Sequence, residues 1–171
     1  MDLSSFIRDI ADFPKKGVVY KDITPLLRDK VAFKTAVDKF AEVYKYQKVD
    51  LVLGIEARGF LLAAALAYAM NAGLIIARKP GKLPNEILIS HSYTTEYSSD
   101  ILHIHKDAVY ENQNVLIVDD VLATGGTANA ARNLVTQLGG NVVGYCFLLE
   151  IGFLEGRKIL KQAPVESLLI Y

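Results

Sequence analysis

The residues best placed for chemistry are Asp119 and Asp120, followed closely by the turn Thr124-Gly-Gly-Thr127. They belong to Val115-Leu-Ile-Val-Asp-Asp-Val-Leu-Ala-Thr-Gly-Gly-Thr127, in which an apolar strand delivers two carboxylates and a small turn then opens a helix. Gly125 and Gly126 leave room for an anion to approach backbone N–H groups. Thr124 and Thr127 add hydroxyl donors at a helix N-terminus, where the dipole favours negative charge. The chemistry is that of a cradle for the phosphate of a mononucleotide. It is not a Walker loop, because no Gly-Lys-Ser/Thr closes it, and no Gly-x-Gly-x-x-Gly for a dinucleotide is present. In a regular strand Asp119 and Asp120 would point to opposite faces, and their charges repel unless a cation or hydrogen-bond donors intervene. Ribose hydroxyls and a magnesium ion would suit. A bare acid pair more often just ends a strand, but the thirteen residues together argue for the cradle.

Other reactive side chains are scattered. Arg58 follows a strand end and opens a helix, a position that suits an anion. Arg78, Lys79 and Lys82 cluster within five residues, which fits either an anion site or a solvated loop face. His91, His103 and His105 lack a carboxylate or thiolate at zinc-ligand spacing, so no protein-held metal site is expected. Magnesium keeps several waters and favours oxygen ligands, so it would be held mainly through a substrate.

The chain has 171 residues, 51% hydrophobic and 22% charged, as expected of one well-packed domain. Lys plus Arg and Asp plus Glu each number 19, so no net charge draws the molecule to nucleic acid or an anionic membrane. The lone Cys146 lies in an apolar run and points to a reducing compartment, and the N-terminal residues do not read as a secretion signal; a cytoplasmic location is expected. The longest apolar run, Gly59 to Met70, is shorter than the ~20 residues of a membrane span and reads as a buried core helix.

Leu51 to Ile55, Leu74 to Ala77 and Val115 to Val118 are continuously apolar, as strands covered on both faces are. Phe33, Val37, Phe40 and Tyr44 share one helical face, and Ala128, Ala131, Leu134, Val135 and Leu138 share another that stops at Gly139-Gly140. Asn141 to Leu149 reads as a strand, Phe153 to Lys161 as a short helix and Ser167 to Ile170 as a final strand. This alternation predicts an α/β fold with an open, mainly parallel sheet flanked by helices. Met1 to Pro25 reads as a short amphipathic helix, a turn and an extended piece; Lys79 to Ser99 reads as a hairpin with a long mobile loop. Both could cover the carboxyl edge of the sheet, where ligands of such folds bind.

The segment from Val115 to Thr127 resembles the phosphoribosyl-pyrophosphate signature of type I phosphoribosyltransferases. That resemblance implies a single domain over residues 1–171 with a small hood formed by residues 1–30. It places Asp119 and Asp120 on the ribose hydroxyls, and Ala123, Thr124, Gly125, Gly126 and Thr127 around the 5-phosphate. Four further segments resemble the adenine phosphoribosyltransferases in particular: Phe13-Pro-x-x-Gly-Val-Val-Tyr-Lys-Asp-Ile-Thr-Pro-Leu-Leu27, Gly54-Ile-Glu-Ala-Arg-Gly-Phe60, Arg78-Lys-Pro-Gly-Lys-Leu-Pro84 and the Glu96-Tyr97 loop. With the Leu154-x-Gly-Arg157 turn, the matching segments span nearly the whole chain in order.

The implied activity joins adenine to 5-phosphoribosyl-1-pyrophosphate and yields AMP and pyrophosphate, with magnesium, in purine salvage. Related oxopurine enzymes carry an acid where this chain has Ala123, and the resemblance instead assigns the base proton to Glu96, with Tyr97 beside it. It assigns adenine to the backbone of Val19 and Lys21 and to the side chains of Val19 and Leu154, while Tyr20 serves either the base or the core. Arg58 would hold pyrophosphate, with a cis Glu56-Ala57 bond before it. Arg78, Lys79 and Lys82 would reach the pyrophosphate of a neighbouring subunit, which implies a homodimer. The family loop continues Glu-Tyr-Gly, whereas Ser98 stands here. Two other functions fit less well. A phosphoribosyltransferase for another base conflicts with Ala123 and the segment Phe13 to Leu27. A nucleic-acid-binding regulator would need a basic face or an added helix-turn-helix.

Overall fold

The computed structural model describes residues 1–84, 88–94 and 99–171. Five parallel strands form the central sheet: β3 (Leu51–Ile55), β4 (Gly73–Ala77), β7 (Asn114–Leu122), β8 (Asn141–Glu150) and β9 (Val165–Ile170), in the order β4-β3-β7-β8-β9. Strand β7 shows why these runs are apolar. Leu116 and Val118 pack into the core on one face of the sheet, while Val115 and Ile117 pack into the core on the other. The first face is covered by α1 (Thr24–Arg28), α2 (Lys30–Val43) and α3 (Gly59–Met70), the second by α4 (Gly126–Gln137).

The helices begin and end where their caps dictate. Asp29 accepts hydrogen bonds from Val31 N and Ala32 N, both at 2.9 Å, so α2 starts before the apolar stripe itself begins. Val37, Phe40 and Tyr44 are then buried as their spacing predicts. Helix α3 departs from the expectation of a buried core helix. Leu62, Ala63, Leu66 and Ala67 are buried, but Leu61 is 49% and Tyr68 91% exposed, so one side of an almost wholly apolar helix faces outward.

Two irregular regions also differ from their expected form. The N-terminal segment holds only a 3-10 turn, Ser4–Phe6, and then strand β1 (Arg8–Ala11), antiparallel to β2 (Val19–Asp22). The register sets Arg8 opposite Asp22 and Asp9 opposite Lys21. Cross-strand charge pairing of this kind favours the ribbon over an amphipathic helix. Likewise Gly152–Leu154 and Gly156–Ile159 are separate 3-10 turns in place of one helix, parted by Glu155 in the left-handed region at φ 53°. A hairpin is present but lies further along the chain than the expected Lys79 to Ser99, with β5 (Leu88–Thr94) antiparallel to β6 (Ser99–His105), and a bridge between Arg78 and His103 joins it to the end of β4.

Candidate active site

The carboxyl ends of β3 and β7 lie side by side, and each turns directly into a helix. Strand β7 runs through both acids to Leu122 instead of ending at them, because its parallel pairing with β8 continues past them to Leu122 opposite Glu150. Asp119 Oδ1 accepts a 2.8 Å hydrogen bond from Asp120 N, and Asp120 Oδ2 lies 2.7 Å from Nη2 of Arg58. That oxygen is buried yet has no aligned hydrogen-bond donor, so a hydroxyl approaching it would satisfy a real deficit. Burial, and then the charge of Asp120, pushes the Asp119 carboxyl well above its ordinary pKa. Burial raises Asp120 as well, against the opposing pull of Arg58. The pair thus has one backbone donor and one guanidinium between its two carboxyls, too little to offset burial fully, and Asp120 Oδ2 remains short of an aligned donor.

Arg58 connects this pair to the N-terminal ribbon. Its Nη1 donates to the hydroxyl of Tyr20 and, at 3.4 Å, to the carbonyl of Lys21. The guanidinium also stacks 4.7 Å over the Tyr20 ring, which Phe13 meets edge-on. Tyr20 therefore orients Arg58. Glu56-Ala57 is a cis peptide, as is Phe13-Pro14. Gly59 lets α3 start against the acids, since a Cβ there would come within 2.7 Å of Asp119 Oδ1 and 2.9 Å of Val118 O.

Beyond Leu122 the chain forms the loop of Ala123, Thr124 and Gly125, and Gly126 and Thr127 open α4. Gly125 adopts φ 81°, a left-handed conformation that turns the loop under the helix N-terminus. Its carbonyl accepts from Asn129 N at 2.9 Å, leaving the first N–H groups of α4 free of helical partners, as an anion cradle requires.

A cleft of about 420 Å³ adjoins this loop. Val19, Lys21, Ala123 and Leu154 all line it, so the residues assigned to a base converge although they come from three distant parts of the chain. Asp9, Ile151, Phe153 and Tyr171 line it too, and none of these stood out in the sequence. Phe153, in the cleft lining, is 81% exposed. The Lys21 ammonium lies 2.8 Å from Asp9 and 3.9 Å from the centre of the Tyr171 ring, so its charge is paired within the lining of the cleft itself. Tyr20 is not on the wall.

The basic cluster is partly folded inward. Arg78 Nε donates to Glu56 Oε2 at 3.1 Å and its Nη1 to Lys82 O at 3.0 Å, while Lys79 N donates to the same Glu56 oxygen at 2.9 Å. Burial alone would raise the Glu56 carboxyl, but these hydrogen bonds and the charges of Arg78 and Lys82 hold it below its ordinary value. Glu56 thereby ties the basic loop to the turn that carries Arg58. Glu96 and Tyr97 lie outside the described residues.

The profile of the phosphoribosyl transferase domain family matches residues 26–162. An adenine phosphoribosyltransferase of Thermotoga petrophila is 53% identical over 171 residues, the full length of both chains. The crystal structure of adenine phosphoribosyltransferase from Thermoanaerobacter pseudethanolicus superposes with a TM-score of 0.95 at 50% identity, covering 99% of this chain and 98% of that one. The chain belongs to the adenine phosphoribosyltransferase family. A further adenine phosphoribosyltransferase, from Saccharomyces cerevisiae and complexed with an imino-altritol bisphosphate and adenine, superposes at 0.90 with 40% identity over 96% of this chain and 95% of that one. As a member of this family the chain is a pentosyltransferase enzyme with the type I phosphoribosyltransferase fold.

Proposed function

We propose that the chain transfers the phosphoribosyl group of 5-phosphoribosyl-1-pyrophosphate to adenine, releasing AMP and pyrophosphate, as part of purine salvage. One observation carries this most: Ala123 belongs both to the anion loop and to the wall of the cleft, so a base in the cleft would sit beside a ribose whose 5-phosphate occupies the loop. The cleft wall at that point is a methyl group, which offers no acid to an oxopurine and accepts a purine face instead.

In the reaction, N9 of adenine bonds to C1 of the ribose as the bond from C1 to the pyrophosphate oxygen breaks, and the electron pair leaves with pyrophosphate. Positive charge builds on the sugar, so the enzyme gains most by fixing the ribose and receiving the anion. Asp119 and Asp120 hold the ribose hydroxyls, residues 123–127 hold the 5-phosphate, and Arg58 receives the pyrophosphate. The backbone of Val19 and Lys21 reads the edge of adenine, with Val19 and Leu154 on its faces. Glu96, aided by Tyr97, accepts the proton that the ring releases at N7. Replacing Glu96 by Ala is expected to lower kcat by about 10²- to 10⁴-fold with little change in donor KM, as loss of a positioned base does. An unchanged kcat would remove Glu96 from the chemistry.

Among the described residues no cluster of three or more His, Cys, Asp or Glu is arranged to hold a metal ion. The donor set around the buried Asp120 oxygen fits a magnesium ion carried chiefly on the substrate's own oxygens. When bound there, it offsets negative charge on the pyrophosphate.

The exposed side of α3 supports a homodimer. Leu27, Phe33, Leu61, Ala65, Leu74 and Ile76 line an apolar groove of about 610 Å³ along the edge strand β4. An apolar face of this kind favours covering by protein. Arg78, Lys79 and Lys82 follow β4 directly, so a second copy docked on this edge would meet them. Sedimentation at twice the 18.8 kDa chain mass is the expected result, and a monomer at micromolar concentration would contradict it. No helix among the described residues is long and apolar enough to cross a membrane. The buried, free thiol of Cys146 supports a reducing compartment, and the cytoplasm is the proposed location.

A further inference from the structure

The turn Gly156–Ile159 packs directly on the loop of residues 123–125. A Cβ on Gly156 would overlap the carbonyl oxygen of Ala123 and approach Gly125 N to 2.9 Å. A Cβ on Gly125 would meet Gly156 O at 2.5 Å and the Ile159 side chain at 3.0 Å. Two backbones thus touch with no side chain between them, and the turn limits how far the loop can yield toward it.

The turn is itself fixed by one buried acid. Arg157 Nε donates to both carboxylate oxygens of Glu150, at 2.9 and 2.7 Å, and its Nη1 donates to Val165 O at 2.6 Å. Glu150 ends β8 and is only 4% exposed. Leu160, next after the turn, is buried in the core, and Ile151 N donates to Leu122 O at 2.9 Å, which joins the ends of β8 and β7. A charged acid so placed is kept only because its arginine is there, and the guanidinium fork supplies a geometry that an ammonium lacks. None of Glu150, Gly156 and Arg157 lines the base cleft.

We propose that Glu150, Arg157 and Gly156 are positioning residues that brace the loop of residues 123–125 and set its fit to the donor's 5-phosphate. This rests on the reading of that loop as the 5-phosphate cradle. The brace acts through backbone contact, so its loss should appear in donor binding and spare adenine. Loss of the right loop position by even about 1 Å can cost on the order of 10²-fold.

The test measures KM for donor and for adenine, together with calorimetric binding of ribose 5-phosphate, in wild type, Gly156→Ala, Arg157→Lys and Glu150→Gln. Cooperative thermal melting screens each variant for folding. Expected are a donor KM and a ribose 5-phosphate Kd raised about 10- to 100-fold in Gly156→Ala, smaller rises in the two conservative variants, and an adenine KM within about threefold of wild type. Should Gly156→Ala fail to fold, the same split in the conservative variants decides the matter. Equal rises in both KM values, or unchanged donor constants in variants that melt cooperatively, would overturn the brace. Failure of the wild type itself to bind ribose 5-phosphate would instead overturn the cradle reading, and the brace with it.

Discussion

Asp119→Asn is expected to melt at a higher temperature than the wild type near neutral pH while losing most of its activity. Burial and the neighbouring Asp120 raise the Asp119 carboxyl well above its ordinary value. The folded state therefore holds that proton more tightly than the unfolded chain does, and stability falls as pH rises from the ordinary carboxylate range through the raised value. An amide cannot ionise, so the variant escapes this decline, and its oxygen can still accept the hydrogen bond from Asp120 N. Each kcal/mol of relieved repulsion corresponds to about 2–4 °C in a domain of this size. The same change removes the charged acceptor for a ribose hydroxyl, worth about 1.5–3 kcal/mol, or roughly 10- to 100-fold in kcat/KM for the donor. Melting curves from about pH 4 to about pH 8 check the first part and donor kinetics the second. A lower melting temperature throughout would show that Asp119 serves the fold and not the ligand.

Arg58→Ala is expected to shift stability the other way, because it leaves Asp120 without its counter-charge. Removing one partner of a fully buried pair costs about 3–5 kcal/mol. The Arg58 side chain is 32% exposed, against 8% for Asp120, so water takes up part of the deficit and about 2 kcal/mol is the better expectation. The substitution also frees Tyr20 OH and Lys21 O, so β2 loses its tie to the sheet. Amide exchange at residues 19–22 should accelerate together with a fall of about 10²- to 10³-fold in kcat/KM for the donor, the effect of losing a preorganised anion contact. Arg58→Lys should recover some stability but little rate, since one ammonium cannot serve Asp120, Tyr20 and a pyrophosphate at once. Unchanged exchange in β2 would separate Arg58 from the hood.

The parallel core was legible because strands covered on both faces must be apolar throughout. Strand β3 occupies Leu51–Ile55, the limits read from the sequence. Helix ends were less legible, since α2 begins at a cap from Asp29 that lies outside its apolar stripe. The acids and the loop 123–127 were found because they are contiguous, and local chemistry carries their signal.

What escaped depends on contacts between distant residues. The charges of Arg8 and Asp9 take on meaning only when Asp22 and Lys21 arrive opposite them, so β1 was read as part of a helix although the extended piece that became β2 was seen. The apolar length of α3 gave no sign that Leu61 and Tyr68 would face outward. Phe153 and Tyr171 enter the cleft from the C-terminal part of the chain, and no spacing rule pairs them with Val19. Gly156 and Arg157 were visible as a motif, but their role depends on Glu150 and on a loop some thirty residues away.

The base specificity is the central claim, and a single assay addresses it. Purified protein with magnesium and 5-phosphoribosyl-1-pyrophosphate is offered adenine, hypoxanthine, guanine and orotate separately, and nucleotide formation is followed. The account predicts AMP from adenine, with the other bases slower by at least about 10³-fold, because unpaired polar groups would be left in the cleft. Comparable turnover of hypoxanthine or guanine would contradict it, and would show that Ala123 and the Val19–Lys21 backbone do not select the base.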